Sequence, residues 1–240
     1  TMEFGLDGKW ESHDHPVADP TNAQFYIDNF VDVSRDRFGG FANVTWDGPQ
    51  WDVETGIRYN HLKMNAGEVG VDLAIPQMSP MYMQQERLDK LAAEFNAADR
   101  KVSDDQWIGI ITASRTLNDT TRLNLGLGRK VRSPSYQERY LWLPMSATAG
   151  LADGYTYIGD INLEPETSVE ITGGLDWNTD SSRLTPELIY RDISDFIQGT
   201  PSTNMTANMF AMMSSGKQPL QYGNVNAEIY GFDMGYEWQM

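Results

Sequence analysis

The side chains with the most distinctive chemistry in this sequence are thioethers. The chain of 240 residues carries 12 methionines and no cysteine. Met78, Met81 and Met83 fall in one stretch, and Met205, Met209, Met212 and Met213 fall in another, within N-M-T-A-N-M-F-A-M-M. Thioether sulfur is a soft ligand that suits Cu(I) and not the hard cations calcium and magnesium. The spacing of Met205, Met209 and Met212 (i, i+4, i+7) places three sulfurs on one face if the segment is helical. Two roles fit that pattern: ligation of a soft metal, or packing of a short loop helix through its methionine face. His13-Asp14-His15 adds two imidazoles that could touch a metal; the same triplet also reads as a solvated loop, because two ligands do not make a site.

No other stretch carries chemistry of its own. The nucleophile elbow, the phosphate-binding loop, the dinucleotide fingerprint and H-E-x-x-H are all absent, and nothing reads as catalytic or as a cofactor site. Carboxylates abound but alternate along strand-like segments. The formal net charge is -16, from 34 acidic and 18 basic residues. That excess argues against a nucleic-acid partner and suits cations. Mean hydropathy is -0.49, and no apolar run approaches the ~20 residues of a membrane helix. A transmembrane β-strand needs only about 10 residues with one apolar face, so this measure is blind to barrels.

The elements that must position these residues are strands. Leu123, Leu125 and Leu127 alternate with Asn124, Gly126 and Gly128; Val169, Ile171, Leu175 and Trp177 alternate with Glu170, Thr172, Gly174 and Asp176. A period of two with leucines on one side is a one-sided strand. The same pattern predicts strands over Met2–Glu11, Phe38–Trp46, from Trp51, over Gln106–Leu117, over Arg183–Gln198, and to the chain end at Met240, about eight in all. Short turns are expected at Asp47–Gln50, Asn118–Thr120 and Asn178–Ser182. Long excursions are expected at His13–Val33, Leu62–Asp105 (with helical spacing over Gln84–Ala98), Arg132–Pro165 and Gly199–Gln221.

The connections alternate long and short throughout. Transmembrane barrels do this, with long loops at one end and short turns at the other. Six tryptophans near strand ends (Trp10, Trp46, Trp51, Trp107, Trp177 and Trp238) suit an interfacial girdle. The face that carries Glu3, Asp7, Glu54, Arg58, Glu170, Asp176 and Glu237 must line a wet lumen, because a basic residue facing lipid at mid-depth costs ~2–4 kcal/mol.

Three phrases resemble the TonB-dependent receptors, the outer-membrane transport barrels of Gram-negative bacteria. They are R-x-P-S-x-x-E at Arg132, Pro134, Ser135 and Glu138; N-L-x-P-E-x-S at Asn162, Leu163, Pro165, Glu166 and Ser168; and I-x-D-F-I at Ile193–Ile197, followed by Tyr222, Asn224, Val225, Ala227, Gly231 and Asp233. They occur in the family's order. The second is one residue tighter than usual, and Asp233 stands where the family has Glu. The branch it resembles most is that of the copper receptors.

The resemblance implies an all-β, antiparallel up-and-down meander: one partial barrel domain over residues 1–240, cut from a barrel of roughly twenty strands or more. The plug domain and flanking strands are expected elsewhere, since both ends read as cut within strands. It also implies a location in the outer membrane, contact with lipid and lipopolysaccharide, and import driven by TonB acting through the plug. The cargo is then a metal or metal chelate, with copper favoured over a ferric siderophore. Two further readings are a passive porin or adhesin barrel and a secreted carbohydrate-binding module.

Overall fold

The computed structural model describes residues 1–79 and 81–238; Pro80 within the first methionine stretch and the final Met240 lie outside that range. In chain order the elements are β1 (Met2–Asp19), β2 (Asn22–Asp47), β3 (Trp51–Asn65), β4 (Gly70–Asp72), α1 (Tyr82–Ala97), β5 (Val102–Asn118), β6 (Thr121–Arg132), α2 (Tyr136–Tyr140), α3 (Ser146–Ala149), β7 (Tyr157–Ile158), β8 (Glu166–Asn178), β9 (Ser182–Pro201), α4 (Met205–Ser215) and β10 (Leu220–Trp238).

Eight long strands run in the order β1-β2-β3-β5-β6-β8-β9-β10, and every neighbouring pair is antiparallel. This is the expected meander. Two short strands sit inside the excursions: β4 pairs with β2, and β7 runs parallel to β10. Among the described residues the sheet does not close, as β1 pairs with β2 alone.

The expected loop over His13–Val33 is instead the top of a β-hairpin. β1 continues to Asp19, the chain turns at Pro20–Thr21, and β2 begins at Asn22. The backbone N–H and hydroxyl of Thr21 both donate to Asp19 Oδ1, which fixes the turn. The period of two is invisible here because bulges interrupt it. Register shifts fall between His13 and His15, His15 and Pro16, and Ala18 and Asp19, and Asp32 has a φ of 45°. A bulge inserts an extra residue and flips the faces that follow. Pro16 falls at one of these register shifts, where a strand tolerates proline. With 26 residues, β2 is roughly 85 Å long at ~3.3 Å per residue, far beyond what one crossing needs.

The faces divide as the alternation predicts. Leu125, Leu127, Val169, Ile171, Leu175 and Tyr230 are exposed on one side, against no second sheet. The register puts Asp52, Ser114, Asn124 and Gly174 in one row on the other side. That side is hollow: a cavity of about 630 Å³ lies against Asn124, Gly126, Thr172, Glu187 and Asp233. Ion pairs tie its strands together. Arg37 and Arg58 both bond Asp7, Arg122 reaches Asp52 at 2.6 Å, Arg183 reaches Asp176 at 2.9 Å, and Arg191 Nε reaches Glu170 at 2.6 Å. Of the six girdle tryptophans, Trp10, Trp46, Trp107, Trp177 and Trp238 are exposed, and Trp51 is half-buried under the Arg115 guanidinium.

Candidate functional site

At the end opposite the short turns, the hollow face changes character. Leu62 and Met64 continue the row of Arg58 and Asn60 on β3, yet both are buried. They are covered by the excursions, which fold inward and share one apolar core. Ile27, Phe30 and Val33 enter it from the hairpin, Leu88, Leu91 and Phe95 from α1, Tyr140 to Leu143 from the middle excursion, and Ala207 and Phe210 from α4. The long connections are therefore a packed cap.

The middle excursion is pinned at both ends and through its centre. At its base, Arg132 donates to Glu138 at 2.9 Å and to Glu166 at 2.6 Å, and Glu166 accepts the backbone N–H of Ile197 at 2.7 Å. Ser135 caps α2, accepting from the Glu138 N–H while Glu138 Oε2 accepts from the Ser135 N–H. Burial pushes the Glu138 carboxyl up, but Arg132 and Ser135 more than offset it and hold the group below the usual carboxylate range. Asn224 Nδ2 donates to the carbonyls of Glu164 and Asp195, and its Oδ1 accepts from the Glu164 N–H. Arg132, Ser135, Glu138, Glu166, Asp195, Ile197 and Asn224 are residues of the three quoted phrases; folded, they form one bracket under the excursion.

Sequence reasoning missed what holds the excursion's centre. Arg139 and Asp104 form a buried ion pair at 3.0 Å, and Arg139 also donates to the Leu163 carbonyl at 2.9 Å. The Trp142 Nε1–H donates to the Asn29 carbonyl at 3.0 Å. The signal was present: Tyr140-Leu141-Trp142-Leu143 is a continuous apolar run in an otherwise polar loop, and a loop in water has no use for one.

The methionines take a position that their packing role does not explain. α4 is helical, which puts the spaced sulfurs on one face, and it buries Thr206, Ala207, Phe210 and Ala211. Met205, Met209, Met212 and Met213 occupy the opposite face and are exposed. α4 lies antiparallel against α1: Asn204 donates to Glu94 at 3.2 Å at one end, and Arg87 Nη1 donates to Met213 Sδ at 3.0 Å at the other. Met83 stands one turn before Arg87 on the same flank of α1. Met78 (99% exposed) and Met81 precede α1 and face solvent.

The histidines are placed differently. His13 is in β1, not in a loop, and its ring stacks on Tyr136 at 4.9 Å. His15 is exposed beyond the bulge. Among the described residues no group of three or more histidine or acidic side chains is arranged to hold a metal.

The sequence pattern of the family described as TonB dependent receptor-like, beta-barrel matches residues 2–240. No curated protein matches by sequence. Among solved structures, the copper transporter OprC superposes with a TM-score of 0.66 at 19% identity, covering 100% of this chain and 32% of that one. The FrpB iron transporter from Neisseria meningitidis gives 0.54 at 12% identity, with 88% and 24% covered. The ferric yersiniabactin uptake receptor FyuA from Yersinia pestis gives 0.52 at 17%, with 99% and 29% covered. The chain thus spans a third or less of the length of these structures. Members of the matched family are outer-membrane transport receptors and not enzymes. With the family's pattern running along almost all of its length and its phrases joined in one bracket, the chain belongs to the TonB-dependent receptor β-barrels.

Proposed function

We propose that residues 1–240 are one partial barrel domain of an outer-membrane receptor that binds a metal ion or metal chelate at its cap and imports it. Copper is the favoured cargo. The plug and the flanking strands belong to the rest of the receptor, and TonB supplies energy through the plug. Lipid and lipopolysaccharide surround the apolar face.

The observation that carries this reading is the exposed methionine face of α4. Had packing selected these residues, the helix would turn them inward, where each buried side chain contributes ~1.5–3 kcal/mol. Arg87 engages the Met213 sulfur, which leaves Met205, Met209 and Met212 with free thioethers on one face. An acidic chain concentrates cations generally, and thioethers then select a soft one. The likeness to a copper transporter is in keeping with this. Met78 and Met81 are outlying members of the set, and His13 and His15 lie outside it. A ferric siderophore is the second reading, favoured by the likeness to FyuA.

The test is Met205→Leu, Met209→Leu, Met212→Leu and Met213→Leu together in the full receptor, which keeps volume and apolarity. Copper binding and uptake are expected to fall at least tenfold while the barrel still assembles. Unchanged copper uptake removes these residues from transport.

A further inference from the structure

One arginine in the cap lacks the partner that its charge calls for. Arg87 of α1 is half-buried and takes part in no ion pair among the described residues, where most other arginines hold a carboxylate. Its Nη1 donates instead to Gln84 Oε1 at 2.8 Å and to Met213 Sδ at 3.0 Å. A guanidinium bonds best to an ionised or strongly polarised oxygen. A thioether is a weak acceptor.

One added atom supplies the missing acceptor. Oxidation of the sulfur to the sulfoxide puts a polar oxygen where Arg87 already donates. Met213 is 55% exposed, so an oxidant in solution reaches it. By exposure alone Met205, at 75%, would react first. Arg87 reverses that order. When a sulfur lone pair attacks hydrogen peroxide, the S–O bond forms as the O–O bond breaks. Sulfur gives up two electrons, and the other peroxide oxygen leaves as hydroxide. The hydroxide then takes the proton from the oxygen on sulfur, which leaves sulfoxide and water. Negative charge develops on the departing oxygen beside the guanidinium, and a donor placed at developing charge speeds the step. Among the described residues no N–H donates to the sulfur of Met205, Met209 or Met212; the thioethers that accept are Met213 and the buried Met64.

We propose that Met213 is a reversible oxidation site for peroxides, set apart from the other exposed methionines by Arg87. The oxygen gained accepts from Arg87 and fastens α4 to α1 at that end. Sulfoxide reductases return the thioether. Met205, Met209 and Met212 stay soft while Met213 is oxidised. The site rests on the contact between the two helices and is independent of the cargo that the receptor carries.

The experiment treats the full receptor with hydrogen peroxide and follows the sulfoxides of Met205, Met209, Met212 and Met213 by mass spectrometry. The same treatment is given to the receptor's proteolytic peptides and to Arg87→Gln. We expect Met213 of the folded receptor to oxidise roughly tenfold faster than Met205, the effect of one hydrogen bond to a charged group. That lead is expected to vanish in the peptides and in Arg87→Gln, and to persist in Arg87→Lys, which keeps a cationic donor. The comparison of folded receptor with peptides needs no variant, so it decides the matter even if Arg87→Gln does not assemble. Oxidation in order of exposure, with Met205 ahead, overturns the site, as does a Met213 lead that is unchanged in the peptides or in Arg87→Gln. Copper plays no part in this readout, so failure here and failure of the proposed function are told apart.

Discussion

Asp104 and Arg139 meet where solvent does not reach, and each leaves one polar atom, Asp104 Oδ2 and Arg139 Nε, without a partner. Such a pair is weak evidence of stability while intact, but removing one partner strands a buried charge at ~3–5 kcal/mol. Asp104→Asn is therefore expected to loosen the middle excursion. Hydrogen exchange of amides 133–165 in the full receptor should speed up while the strand amides keep their protection. Glu138 gives a pH dependence of known sign. Its folded-state pKa is depressed, so the bracket's contribution is fully present above the unfolded value of ~4.3 and is lost as pH falls through the folded value. The excursion should accordingly open below about pH 4, and Glu138→Gln should abolish that transition. At this scale the sequence was partly legible. The bracket residues stood out as phrases, but no spacing rule could pair Asp104 with Arg139 across 35 residues.

At the scale of elements, the strands carried their own evidence. Their leucine and valine rows are exposed on one side of the sheet and their polar residues lie on the other, which is what alternation encodes. Leu125→Arg at the middle of β6 is expected to destabilise the folded receptor in a bilayer by ~2–4 kcal/mol, whereas Asn124→Arg, on the wet face, is expected to be near neutral. Equilibrium folding into vesicles measures both. A cost shared equally by the two variants would contradict the assignment of faces. The hairpin of β1 and β2 was not legible beyond Glu11 and before Phe38, because each bulge resets the period before a second repeat can accumulate. α1 was legible over Gln84–Ala98, one or two residues from its observed limits. For α4 the methionine spacing was legible only as what a helix would do with it; neither the helix itself nor the face that it buries could be read.

For the whole molecule, the three short turns lie at one end of the meander and the packed excursions at the other. Single cysteines in the full receptor, at Met78→Cys in the cap and Asp119→Cys in the β5–β6 turn, test this in intact cells. An impermeant reagent is expected to label the first and not the second; labelling of the turn from outside would invert the barrel.

The same topology sets a timetable for assembly. Each long strand bonds to the next long strand in the chain. The cap joins far more distant partners: Trp142 reaches Asn29 across 113 residues, and Arg87 reaches Met213 across 126. Closing a loop costs entropy that grows with its length, and contacts close in sequence form sooner. The sheet is therefore laid down one strand at a time from an edge, each newcomer finding its neighbour already in place. The cap consolidates last, when β9 and β10 bring α4 to α1. The Arg87–Met213 contact at that junction comes into being only once the last strands described have been added, so a receptor stalled midway leaves α1 without α4.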